Sequence, residues 1–297
     1  MEWRRIRDCI GTKLMLLVTV FVSILFFLIF FTLLSKSFLI LETTSISELL
    51  LSSIWNPERG QFGLFPIIIG TIIVTGLSLI IAVPISLLSA IYIAEYAPKR
   101  IRQVIRPYID LLAGVPSVVY GLCAFLFLVP LTRDVIAPWF GVESTGFCIL
   151  SASLILSVMV FPIIISLCVE SFCAIPVELK ESSLSIGATK WETVKKVTFR
   201  ASATSIISAV LLGFGRSFGE TIAVNMVIGG KAMIPGTLFD PSETLASRIA
   251  SAYGEMMSIP VYESALLFMA LILFIVVIIF NLLGVLILRR AKKRWNY

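Results

Sequence analysis

The chain has 297 residues, 58% of them hydrophobic and only 14% charged, with a mean hydropathy of +1.02; this composition excludes an ordinary soluble globule and requires an integral membrane protein. Histidine is absent from the sequence, which excludes Ser/His/Asp catalysis, histidine-ligated metals and the usual neutral-pH proton switch. The formal net charge of +6 is no nucleic-acid signal, because the basic residues fall in the connections of one membrane face.

The first apolar run lies between Lys13 and Lys36, long enough to cross a hydrocarbon core of about 30 Å at about 1.5 Å per residue. Its basic start, Arg4, Arg5, Arg7 and Lys13, imitates a signal peptide. The run is too long for one and no small-x-small cleavage site follows, so it reads as a retained anchor. Further apolar runs cover about 63–94, 111–132, 146–169, 203–228 and 262–288. The expected fold is an all-α bundle of six transmembrane helices. Its divisions are an arm at 1–13, a first span with an external interfacial helix at 14–62, a five-helix core at 63–288 and a basic tail at 289–297.

Lysine and arginine cluster in the arm, in the 95–110 and 170–202 connections and in the tail, while the three alternating connections hold few. The positive-inside rule therefore places both termini in the cytoplasm. On the opposite face, Ser45-Ile46-Ser47-Glu48 has the form of a capping box before a short helix. Asp240-Pro241-Ser242-Glu243 repeats that logic and predicts a second outer-face helix over 241–253. Structured external connections suit a docking surface and a lid equally.

The 170–202 connection is rich in helix formers. Pro176 opens it, Glu178, Lys180 and Glu181 fill a first helix, Gly187 breaks the run, and 191–199 reads as a second helix. Two short helices with a glycine corner make a knob able to enter a partner's groove; an interfacial helix holding anionic lipid would carry the same charges.

The span at 203–228 contains Gly213-Phe214-Gly215-Arg216-Ser217-Phe218-Gly219-Glu220-Thr221. Each charge at that depth costs roughly 2.5 to 3.5 kcal/mol on insertion scales, so an intramembrane ionisable pair marks a functional site. On one continuous helix Arg216 and Glu220 would share a face, and an intrahelical salt bridge is the purely structural alternative. Gly215-x-x-x-Gly219 has the form of a close-packing motif. The five cysteines (Cys9, Cys123, Cys148, Cys168, Cys173) contain no C-x-x-C pair, and no metal or cofactor is expected.

Glu181-Ser182-Ser183 followed by Gly187 resembles the E-A-A-x-x-x-G motif of ABC-importer permeases. Where that family continues to I-x-L-P, this chain has Val197-Thr198-Phe199-Arg200, with Arg200 replacing the proline. The resemblance implies a coupling helix that docks on a cytoplasmic ATPase dimer through Glu181, Ser182, Ser183, Gly187, Ala188 and Trp191. The chain has no G-x-x-x-x-G-K-[ST] of its own. Trp55-Asn56-Pro57, Phe62-Gly63-Leu64-Phe65-Pro66 with Gly70-Thr71, and Gly114-Val115-Pro116-Ser117-Val118-Val119-Tyr120-Gly121 resemble phosphate-specific importer permeases of the PstC type, as do 184–193 and 215–221. The resemblance implies a multi-pass prokaryotic inner-membrane protein without enzymatic activity, working with a second homologous permease and an external phosphate-binding protein. Its substrate would be inorganic phosphate; molybdate or sulfate, or an ion-coupled secondary anion transporter, are the alternatives.

An arginine fork matches phosphate oxygens with parallel charge-assisted hydrogen bonds. A carboxylate accepts the P–OH that phosphate keeps near neutral pH and repels fully ionised sulfate. Arg216 and Glu220 are the expected pathway residues on this chemistry, with Ser217, Thr221 and Asn225 as further polar contacts.

Overall fold

The computed structural model describes residues 2–295 except 257. Helix α1 (Glu2–Thr43) runs without a break through Lys13, and α2 (Ile46–Leu51) follows, capped by the Ser45 hydroxyl accepting the Glu48 N–H. A small antiparallel hairpin pairs β1 (Trp55–Asn56) with β2 (Gln61–Phe62), Trp55 opposite Phe62. Next come α3 (Phe65–Ile91), with Pro66 in its first turn and one π turn at Tyr92–Tyr96, then α4 (Lys99–Gly114) and α5 (Ser117–Trp139). The chain continues through α6 (Ile149–Cys173), α7 (Val177–Ser185), α8 (Lys190–Ala201), α9 (Ala203–Gly219), α10 (Ile222–Asn225), α11 (Leu245–Met256) and α12 (Pro260–Trp295).

Five of the described helices are long and apolar enough to cross a membrane, and α8 with α9, bent by 70°, makes a sixth candidate. Helices α1 and α12 pair antiparallel: Ser264 Oγ donates to the Lys36 carbonyl and accepts the Ile40 N–H, while Phe30 stacks on Phe274. That pairing brings the two basic ends of the chain to the same end of the bundle. Helix α6 is central, packed against α3, α9 and α4, and its Leu156, Val160, Ile164 and Phe172 are fully enclosed.

Three expectations are corrected. The span expected at 111–132 starts later, because Val115 precedes a proline and is extended (φ −67°, ψ 130°); residues 99–114 form their own helix. The span expected to run through 228 ends at Gly219, since Glu220 is extended (φ −69°, ψ 128°). The outer-face helix expected over 241–253 begins only at Leu245. Asp240 instead closes a turn by accepting the Gly236 and Thr237 N–H groups, each at 2.8 Å. Residues 242–247 are then buried, with Ser242 bridged to Gly229.

Candidate functional site

The close fit of α9 on α6 depends on Gly213: a Cβ there would stand 2.9 Å from Val160 Cγ1 and 3.0 Å from Ile164 Cδ1. Gly215 and Gly219 face open space within this chain, so the expected Gly-x-x-x-Gly contact is not made by this bundle alone. Arg216 lies about 20 Å along α9 from Ala203 at about 1.5 Å per residue, well inside a membrane-sized thickness.

The break at Glu220 separates the expected pair. Glu220 Oε1 accepts the Ala223 N–H at 3.4 Å, so its carboxylate caps the start of α10. Thr221 donates to the Gly219 carbonyl at 3.1 Å, bridging the break. No ion pair joins Arg216 to Glu220 among the described residues. Arg216 Nε is buried without a hydrogen-bond partner, and Ser217 Oγ is in the same condition on the inward side of the helix. A buried guanidinium N–H without an acceptor is an open donor in a low-dielectric setting.

A second helix break lies against the first. The Tyr120 hydroxyl donates to the Leu112 carbonyl at 2.9 Å across the Val115-Pro116 break. Gly121 admits α10 directly: a Cβ there would meet Met226 Sδ at 2.7 Å and Ala223 Cα at 3.0 Å. Asn225, at the end of α10, lines a cleft of about 730 Å³ with Ser144, Lys231 and Asp240. Of the five expected pathway residues, Arg216, Glu220 and Thr221 therefore cluster at the break, Asn225 lies one turn beyond it, and Ser217 turns into the core.

The sequence assigned residues 241–253 to an outer-face helix and gave Glu243 and Arg248 no role in a site. Glu243 is 1% exposed and ion-paired to Arg248 at 2.8 Å; burial, outweighing that arginine, pushes its carboxyl up to about 7. Thr71 Oγ1 accepts the Leu245 N–H at 2.9 Å, and the bare Gly70 backbone leaves room for Ser242 and Glu243. The Gly70-Thr71 pair thus has a local job on α3, as a seat for the re-entering chain. Arg248 also stands 5.2 Å over the Trp55 ring, which packs edge-on to Phe62 and Tyr262.

At the other end of the bundle, α7 and α8 form the expected knob. Gly187 turns the corner at φ +88°, a conformation that favours glycine. Thr189 and Glu192 form a reciprocal capping box at the start of α8, and Ser183 and Thr193 hydroxyls meet at 3.0 Å between the helices. Glu181 and Ser182 are exposed and Ala188 half-buried, while Ile186 (86%) and Trp191 (53%) present apolar surface. Arg200, in place of the motif proline, continues α8 to Ala201, and the chain bends at Ser202 into α9.

The family of binding-protein-dependent transport system inner membrane components matches residues 82–295. The phosphate transport system permease protein PstC of Pasteurella multocida is 36% identical over 254 residues, covering 80% of this chain and 79% of that protein. A probable ABC transporter permease, YqgH of Bacillus subtilis, is 37% identical over 84% of this chain and 79% of its own length. The probable phosphate transport system permease protein PstC of Methanocaldococcus jannaschii is 33% identical over 84% of both. Among solved structures, a chain of a bacterial alginate ABC transporter in complex with an alginate-bound periplasmic protein aligns with TM-score 0.65 at 17% identity, covering 96% of this chain and 98% of that one. A chain of the MetNI methionine ABC transporter aligns with TM-score 0.61 at 18% identity, covering 80% and 99%. At such identities these structural likenesses concern the fold.

Proposed function

The chain belongs to the binding-protein-dependent transport system inner membrane components, a multi-pass membrane family, and from that premise we propose that it is the permease subunit of an ATP-driven importer of inorganic phosphate. The relatives named as phosphate permeases, matched over most of their length, support the substrate. The basic ends and the knob would face the cytoplasm. There the knob would dock on an ATPase dimer through Glu181, Ser182, Ser183, Gly187, Ala188 and Trp191, with Ile186 and Trp191 supplying the apolar contact. A second homologous permease would complete the pathway, and an external phosphate-binding protein would deliver substrate to the opposite face.

One observation carries the substrate site: the buried, unpartnered Nε of Arg216 beside two helix breaks. Its open donor suits a phosphate oxygen, and the bent geometry leaves Glu220 apart from it, so the arginine charge is not spent on an internal ion pair. Glu220 and Thr221 stand where a passing phosphate would meet an acceptor for its P–OH and a hydroxyl. The site is a transient one, because tight binding within the membrane would slow release. The test is phosphate uptake by the assembled transporter carrying Arg216→Lys or Glu220→Gln. Uptake should fall by about tenfold or more in Arg216→Lys, as for loss of a bidentate fork; normal uptake in both variants would remove the site.

A further inference from the structure

The five residues Tyr92–Tyr96 close α3 as a π turn, and the surrounding elements converge on them. Arg102 of α4 folds back to donate to the Ile93 carbonyl at 2.9 Å and to the Ala94 carbonyl. Glu95 Oε1 receives Lys180 Nζ of α7 at 2.7 Å and the Thr198 hydroxyl of α8 at 3.3 Å. Lys180 also donates to the Phe172 carbonyl in the last turn of α6 at 3.1 Å. Lys190 of α8 stands 4.6 Å over the Tyr96 ring. Both knob helices are therefore tied to one short segment.

The kind of tie matters. Helix α7 has no buried residue; Lys180 ties it to the bundle through Glu95 and the Phe172 carbonyl, and Ser183 ties it to α8. The Lys180–Glu95 pair is itself well covered, with side chains 19% and 11% exposed, and separating two such charges without new partners is costly. The opposite end of α3 holds the re-entering segment through Thr71 and Leu245. Helix α3, with Pro84 inside it, spans about 40 Å at about 1.5 Å per residue and so links the two ends of the bundle. Displacement of the knob would reach α9 through the covalent bend at Ser202 and α3 through Glu95.

We propose that Glu95 is a positioning residue for transport: the acceptor through which the knob moves α3, and with it the segment held at Thr71. This rests on the reading of 177–201 as the ATPase-docking element. A fold staple would make the same contacts, but its loss would lower assembly and leave surviving complexes normally coupled. A transmission element, when cut, lets hydrolysis proceed while transport fails.

The complete transporter, with both permeases, the ATPase subunits and phosphate-loaded binding protein, is reconstituted in proteoliposomes. Phosphate imported per ATP hydrolysed is then measured for Glu95→Gln, Thr198→Val and the reversed pair Glu95→Lys/Lys180→Glu. ATP-dependent uptake by the unmodified complex tests the functional reading itself, and its absence sinks that reading separately. Glu95→Gln should keep ATP hydrolysis within about twofold while the ratio falls about tenfold, with partial recovery in the reversed pair. Thr198→Val, which leaves the ion pair intact, should lower the ratio by about two- to fivefold. A normal ratio in assembled Glu95→Gln overturns the proposal; should that variant not assemble, a normal ratio in Thr198→Val does so.

Discussion

Arg216 and Glu220, four residues apart, lie on either side of a helix end: Arg216 closes α9 with its Nε unpartnered, and Glu220 turns away to cap α10 through the Ala223 N–H. Side chains that share no hydrogen bond or ion pair should be only weakly coupled in stability. We expect the thermal unfolding of the purified complex to show additive effects of Arg216→Lys and Glu220→Gln, with a coupling below about 0.5 kcal/mol. A coupling of about 1 kcal/mol or more would put the two side chains in contact and contradict this geometry.

The glycines of α9 divide by what stands over them. Val160 and Ile164 press on Gly213, so Gly213→Val should force α9 off α6 and cost about 1 to 3 kcal/mol, the usual range for overpacking. Gly215→Ala and Gly219→Ala meet nothing within this chain. In the isolated subunit they should leave stability unchanged or raise it slightly, by under about 1 kcal/mol per Gly→Ala in a helix. A parallel set of melting curves for the three variants checks the ordering, and an equal loss in all three would contradict it.

Much of this arrangement was legible in the sequence, because bilayer thickness and helix rise dictate run lengths and leave few alternatives. The knob was equally readable: Pro176, Gly187 and the polar helix formers between them are local signals, and α7, the Gly187 corner and α8 follow them closely. What escaped was the break at Val115, although Pro116 announces it locally, and the features set by long-range contact. The 203–228 run carries no proline to announce its break, and its glycines gave no sign of where the helix stops. Asp240-Pro241-Ser242-Glu243 is a sound capping signal taken over by other partners, the Gly236 and Thr237 N–H groups and the seat at Gly70 and Thr71. Glu95 follows the apolar run at 63–94 with no local signal of its partners; only the folded chain brings Lys180 and Thr198 to it.

At the knob, Gly187 holds φ +88°, where an L side chain is strained by roughly 1 to 2 kcal/mol. Gly187→Ala should reshape the corner between Ile186 and Ala188 while leaving the spans intact. The expected outcome is weaker association with the ATPase subunits, by about fivefold or more if that strain is transferred to the docked state. Copurification yield at limiting ATPase concentration measures it; undiminished association would show that the corner does not set the docking surface.

The Glu243 carboxyl gives the outer segment a pH dependence with a defined sign. Burial, opposed by the Arg248 charge, raises it from 4.5 to about 7. Between those values the folded protein keeps a proton that the unfolded chain has lost, so its stabilising contribution is complete below 4.5 and disappears as pH rises through about 7. Melting temperature should accordingly decline from pH 5 to pH 8 by a component that Glu243→Gln abolishes, since the amide keeps the neutral shape and does not titrate. Arg248→Met should lift the carboxyl further by removing a charge that favours its ionised form, and should move the decline to higher pH. The Thr71→Val variant provides the geometric control. It removes the acceptor for the Leu245 N–H, and it should cost about 1 to 3 kcal/mol for a buried group left unsatisfied, but without changing the slope against pH. A Glu243→Gln profile that still falls between pH 5 and pH 8 as steeply as the unmodified protein's would assign the titration to another group.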